Sequence, residues 1–144
     1  MRVMLTPRSL DVSITNRCNL RCAYCYHFDS ADDTGTDLPA EDWLRFFEEC
    51  GRCAVMTVSL AGGEPLIRED IQEIIEGIAA NRMRFTIATN GTLITEEMAA
   101  FIAATDRCDG IQVSIDRSMP LTHDSMRGHG SFRKAVRGIR ILQS

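Results

Sequence analysis

Three cysteines within eight residues, Cys18, Cys22 and Cys25, constrain this chain more than any other feature. Their spacing, C-x3-C-x2-C, crowds three thiols into one short loop. The chain has six cysteines in all, and its first residues lack the apolar stretch of an export signal. The expectation is therefore a reducing, cytoplasmic setting, where clustered thiols serve as metal ligands or redox groups rather than disulfides. A cubic iron-sulfur cluster held by three thiolates keeps one iron open for a chelating ligand. A structural zinc site needs a fourth ligand, and His27 lies two residues past Cys25. Incidental buried thiols are the third reading, and the triplet by itself leaves all three open.

The apolar pattern says where that loop sits. Leu10, Val12 and Ile14 alternate with other residues, so Ser9 to Thr15 reads as a strand, and the cysteines begin just past its C-terminal end. The Asp-, Thr-, Ser- and Gly-rich run Asp29 to Asp37 is a loop, and Leu38-Pro39 leads into a helix with Trp43, Phe46 and Phe47 on one side. Val55 to Leu60 has the profile of a buried parallel strand and stops at Ala61-Gly62-Gly63. Arg68 to Asn81 reads as a helix with Ile71, Ile74, Ile75 and Ile78 on one face. Phe85 to Ala88 is a third strand, and Thr95 opens a third helix that turns Met98, Phe101 and Ile102 inward. Gly110 to Ile115 is a fourth strand, a polar loop follows, and Phe132 to Leu142 is a fourth helix. Strand and helix alternate four times, which predicts an α/β fold: parallel strands in right-handed βαβ units forming part of a TIM-type (β/α) barrel. In such folds chemistry collects at the C-terminal ends of the strands.

Composition narrows the partners. A hydrophobic fraction of 44% with 25% charged residues suits one soluble globular domain over residues 1–144. A net charge of -4 leaves no overall basic footprint for nucleic acid. No apolar run approaches the roughly 18 residues of a membrane span, so no membrane partner is expected.

Each remaining polar motif follows a predicted strand. Gly62-Gly63-Glu64-Pro65 combines close backbone approach with a carboxylate suited to an ammonium group, and alone it reads as a rigid turn. Thr89-Asn90-Gly91-Thr92 follows the third strand. Ser114 and Asp116 alternate with Val113 and Ile115, so both can face one side and hydrogen-bond a ribose diol; alone they read as a strand end. Together with the cysteine triplet, and with Tyr24 in the aromatic position before its last cysteine, these motifs resemble the radical S-adenosylmethionine (SAM) enzymes. His123 to Phe132 is similar to a segment of the peptide- and protein-modifying group, the SPASM or anaerobic sulfatase-maturase-like enzymes. The resemblance covers most of the chain.

That resemblance implies a 4Fe-4S cluster on Cys18, Cys22 and Cys25, with SAM chelated at the open iron. It implies SAM contacts from Tyr24, Gly62, Gly63, Glu64, Thr89, Asn90, Ser114 and Asp116. It also implies an arginine toward the SAM carboxylate, with Arg137 the first candidate and Arg127 the second, because a guanidinium matches a carboxylate through paired bonds. The implied activity is reductive cleavage of SAM to a 5′-deoxyadenosyl radical that takes a hydrogen atom from a peptide or protein, with a flavodoxin or ferredoxin as electron donor. Two alternatives stand beside it: a radical SAM enzyme acting on a small-molecule cofactor precursor, and a non-catalytic zinc module on Cys18, Cys22, Cys25 and His27. Cys50, Cys53 and Cys108 read as partly buried thiols, the acidic stretch from Asp29 to Glu49 as a solvated surface, and Ser131 as a helix N-cap. The family's barrel has about six βα units and this chain carries four, so residues 1–144 are expected to be the N-terminal portion of a longer core domain.

Overall fold

The computed structural model describes residues 6–25 and 36–144. Strands β1 (Ser9–Ser13), β2 (Thr57–Ala61), β3 (Arg84–Thr89) and β4 (Cys108–Val113) form one sheet in the order β1-β2-β3-β4, with every neighbouring pair parallel. Helices α1 (Ala40–Arg52), α2 (Ile71–Ala80) and α3 (Glu96–Ala104) connect successive strands, and α4 (Pro120–Arg127) and α5 (Ser131–Leu142) follow β4. The expected α/β architecture is present as an open arc of four parallel strands. Among the described residues no helix is long and apolar enough to cross a membrane.

Strand alternation fixes which side of the sheet is packed. β2 buries Val58 and Leu60, and β3 buries Phe85, Ile87 and Thr89. This face meets Ile71, Ile74, Ile75 and Ile78 of α2 and Phe47 of α1 in one core. Each such side chain stabilises the fold by about 1.5–3 kcal/mol when it leaves water. Of the aromatic trio in α1, only Phe47 is fully buried; Phe46 is 41% exposed and meets Trp43 and Phe47 edge-on, so the three do not share one buried side. The opposite sheet face is polar: Asp11, Ser59 and Thr86 lie side by side across β1, β2 and β3.

Element boundaries depart from the sequence reading for identifiable reasons. Val55 does not begin β2; it closes α1. Ala54 takes a left-handed φ of 59° while its N–H bonds Gly51 O and the Val55 N–H bonds Cys50 O, the two bonds of a Schellman stop with Val55 as its buried apolar residue. α2 ends the same way, with Arg82 at φ 61° and Met83 N–H on Ile78 O. α2 also starts three residues later than expected, after a 3-10 turn over Pro65–Ile67. β4 runs earlier than expected and carries an irregularity opposite Phe85 and Thr86, which pair with Cys108 and Gly110 and leave Asp109 unpaired.

The polar loop expected after β4 contains α4, which has Pro120 in its first turn but buries only His123 and exposes Leu121, so no apolar stripe announces it. Ser131 is not the N-cap of α5. Gly130 holds that position, and the Asp124 carboxylate caps the helix from α4 by accepting from Gly130 N (2.6 Å), Phe132 N (2.9 Å) and Ser131 Oγ (3.2 Å).

Candidate functional site

A cleft of about 210 Å³ opens where the four strands end. Cys18, Cys22, Tyr24 and Cys25 line it from the loop after β1, and Gly62 and Gly63 from the turn after β2. Thr89 lines it from the end of β3 and Asn90 from just past it, Ser114 from just past β4, and Arg127 from the last residue of α4. Thus nine of the expected residues meet in one place, joined by the second arginine candidate. Arg137 lies elsewhere, lining a separate hollow with Arg133 and Arg140. A further hollow of about 260 Å³ lies on the polar sheet face against Ser59, Thr86 and Gln112, and it shares Ala88 with the cleft.

The glycines act first on the chain itself. Gly62 has φ 132°, and a Cβ there would stand 2.3 Å from Thr15 O; a Cβ on Gly63 would stand 2.3 Å from Arg17 O. Both positions need glycine because the strand leading to the cysteines passes directly against them. Gly63 N–H donates to Thr15 O at 2.8 Å and Glu64 N–H to Arg17 O at 2.9 Å, so the turn after β2 fixes the base of the cysteine loop.

A second clasp escaped the sequence reading. The Arg68 side chain, 3% exposed, donates to Ile14 O (2.7 Å), Leu38 O (2.9 Å) and both Asp70 oxygens (2.8 and 2.6 Å). Asp37 accepts from Thr15 Oγ1 at 2.9 Å and Arg17 Nε at 2.8 Å. Burial pushes the Asp37 carboxyl up, but the bonds from Thr15 and Arg17 outweigh it and hold it below the usual range. Asp37 is 22 residues from Thr15, a separation that no local pattern reveals.

Glu64 is fully buried behind the cleft. It accepts from Thr89 Oγ1 (2.7 Å) and Leu66 N (3.1 Å) on Oε1, and from Asn90 N (2.7 Å) on Oε2. Burial pushes its carboxyl up, and the three donors oppose that. A carboxylate has about four acceptor sites, so one on Oε2 stays unfilled.

Asp116 is also engaged. Arg127 grips it through Nε (2.8 Å) and Nη2 (2.9 Å), and the Tyr24 hydroxyl donates to the same carboxylate. The Arg127 guanidinium holds the Asp116 carboxyl below its usual range, while burial and the Asp116 bond push the Tyr24 phenol up to about 12, so the phenol stays a donor. Ala23 N–H completes the contact with α4 by donating to Met126 O at 2.8 Å.

The donor set suits an iron-sulfur cluster. Burial pushes the Cys18 and Cys22 thiols up, so a bound metal would be what makes them thiolates. Among the described residues no three Cys, His, Asp or Glu side chains converge on a single ion. Three clustered cysteines suit a cubane, whose thiolates bind separate irons and leave the fourth iron open, whereas a structural tetrahedral zinc needs a fourth protein ligand. His27, the fourth ligand of the zinc alternative, lies outside the described residues.

Comparison with known proteins agrees. Residues 12–144 match the family model described as the radical SAM superfamily. The chain is 35% identical over 136 residues to the mycofactocin maturase MftC of Mycobacterium tuberculosis, covering 94% of this chain and 34% of that protein. It is 33% identical over 141 residues to the AdoMet-dependent heme synthase of Methanosarcina barkeri, covering 95% and 39%. Among solved structures, Streptococcus suis SuiB bound to its precursor peptide SuiA superposes with a TM-score of 0.77 at 22% identity, over 94% of this chain and 31% of SuiB. The chain thus spans about a third of the length of the curated relatives it matches.

Proposed function

This chain belongs to the radical SAM superfamily, and from that premise we propose that residues 1–144 form the cofactor-binding part of an enzyme that modifies a peptide or protein by hydrogen-atom abstraction. The observation that carries the reading is the convergence of Cys18, Cys22 and Cys25 with four strand ends on one cleft. The family works with a 4Fe-4S cluster and SAM, which together supply a 5′-deoxyadenosyl radical.

The chain's own residues then bind, orient and shield. Cys18, Cys22 and Cys25 hold the cluster, and Tyr24 walls the cleft beside them. The SAM ammonium is assigned to the Gly62–Gly63 turn, with the unfilled Oε2 site of Glu64 behind it. Arg127 takes the SAM carboxylate, because it faces the cleft and Arg137 does not. Asp116 uses two of its five donors and three remain. Ser114 offers its hydroxyl to the ribose, Thr89 spends its own on Glu64, and Asp116 acts from behind by fixing Arg127. The substrate enters over the polar sheet face, whose hollow adjoins the cleft at Ala88. A flavodoxin or ferredoxin supplies the electron.

A peptide or protein substrate is supported by the maturase relative and by the likeness to SuiB, whose structure holds its precursor peptide SuiA. The heme synthase relative, at nearly equal identity, favours a second reading with a small-molecule substrate. The test is anaerobic reconstitution of the complete gene product. The expected result is a brown protein with about four irons per chain that releases methionine from SAM under reduction, and a Cys22→Ser variant that loses the colour. A colourless, iron-free preparation overturns the reading. Deuterium carried from a labelled peptide into 5′-deoxyadenosine supports the peptide substrate, and transfer only from a small molecule supports the second reading.

A further inference from the structure

The three cysteines are not equivalent. Cys18 Sγ accepts the Leu20 N–H at 3.4 Å and faces the Asn90 side-chain amide at 3.8 Å. Among the described residues neither Cys22 nor Cys25 shows such a donor. The Asn90 amide has no freedom to turn its oxygen toward the sulfur. Its Oδ1 accepts from both Thr92 N (2.9 Å) and Thr92 Oγ1 (2.6 Å), and its Nδ2 donates to Asn19 Oδ1 at 2.9 Å. Asn19 in turn donates to Thr92 Oγ1 at 2.8 Å, closing a ring of the three side chains beside the sulfur. The Asn90 backbone is pinned from the far side by buried Glu64. The orientation is set by three neighbours, so an N–H points at Cys18 by construction.

An N–H directed at a ligating sulfur draws charge from it, which favours the more negative, reduced state of a cluster. We infer that Asn90 is a positioning residue that acts through the Cys18 sulfur, holding an amide N–H toward it and raising the cluster's reduction potential. This rests on the cluster assignment proposed above. Its consequence is that electron entry depends on the Thr89-Asn90-Gly91-Thr92 turn as well as on the cysteine loop.

The experiment is a redox titration of the complete, anaerobically reconstituted protein without SAM, followed by electron paramagnetic resonance, with iron and sulfide measured on every sample. Asn90→Ala removes the donor, and Asn90→Asp replaces it with a carboxylate beside the sulfur. Both variants are expected to load iron like the wild type and to show a more negative midpoint, with Asn90→Asp shifted further. Whichever variant loads iron decides the matter, and a midpoint unchanged or more positive in it overturns the inference. Loss of iron from both variants while the wild type is loaded also overturns it, because the residue then holds the loop rather than tuning the sulfur. A wild type without iron overturns the cluster assignment instead.

Discussion

Glu64 illustrates how a residue chosen for one role carries another. Its position after β2 makes it a natural acceptor for a ligand's ammonium group, yet three of its acceptor sites are filled by Thr89, Asn90 and Leu66. It therefore joins the ends of β2 and β3. In Glu64→Gln the amide oxygen can still serve Thr89 and Leu66, but the NH2 group then faces the Asn90 N–H, donor against donor. A buried unsatisfied donor costs about 1–3 kcal/mol. Because burial already penalises the charged carboxylate, removing the charge offsets part of that loss. The expected destabilisation is about 1–2 kcal/mol, read from the denaturant midpoint of the complete protein; a variant as stable as the wild type contradicts the clamp. Which of the two arginine candidates lines the cleft could not be read at this scale, for a different reason. Arg127 reaches the cleft from α4, a helix that the sequence pattern does not reveal, whereas Arg133, Arg137 and Arg140 share a face of the visible helix α5 that looks elsewhere.

At the scale of elements, the turn after β2 and the stretch leading to the cysteines behave as one unit. Gly63→Ala sets a Cβ against the Arg17 carbonyl, a backbone atom that cannot swing aside as a side chain can. The loop must shift as a body, so the variant is expected to lose most of its iron in reconstitution while keeping its secondary structure by circular dichroism; full iron content contradicts the coupling. The Arg68 clasp at the same loop base is charge-dependent. Asp37 and Asp70 both sit below the usual carboxylate range, Asp70 chiefly through its bonds to Arg68. A carboxylate lowered in the folded state adds stability above its unfolded value and loses it as pH falls through the lowered one. The stability of the wild type should therefore fall on acidification through and below the usual carboxylate range, and more steeply than that of an Asp70→Asn variant, as measured by urea unfolding at stepped pH. Strand positions and the α2 face were legible because Val58, Leu60 and the four isoleucines follow simple periods. The helix ends were not, because Ala54 and Arg82 stop α1 and α2 in a conformation for which glycine is the usual sign.

Across the whole molecule, the two faces of the sheet set its division of labour. One is packed by Phe47, Phe85 and the α2 isoleucines and accounts for stability. The other carries Asp11, Ser59, Thr86 and Gln112 where a TIM barrel interior normally places Val, Ile and Leu. Small polar side chains facing a hollow that adjoins the cysteine-lined cleft suit a ligand with hydrogen-bonding groups, not a sealed interior. Two readings of that face make opposite predictions for Thr86→Leu, which adds apolar volume on the half-buried side of β3 without touching the packed face. If the face were only unfilled core, added bulk would raise stability and leave turnover alone. If it is the path of the substrate, as proposed above, the variant is expected to keep its iron content and its substrate-independent cleavage of SAM, while the KM for the peptide rises about tenfold, an apparent loss near 1.4 kcal/mol. Steady-state kinetics with SAM cleavage followed in the presence and absence of peptide separates the two, and an unchanged KM moves the substrate off this face.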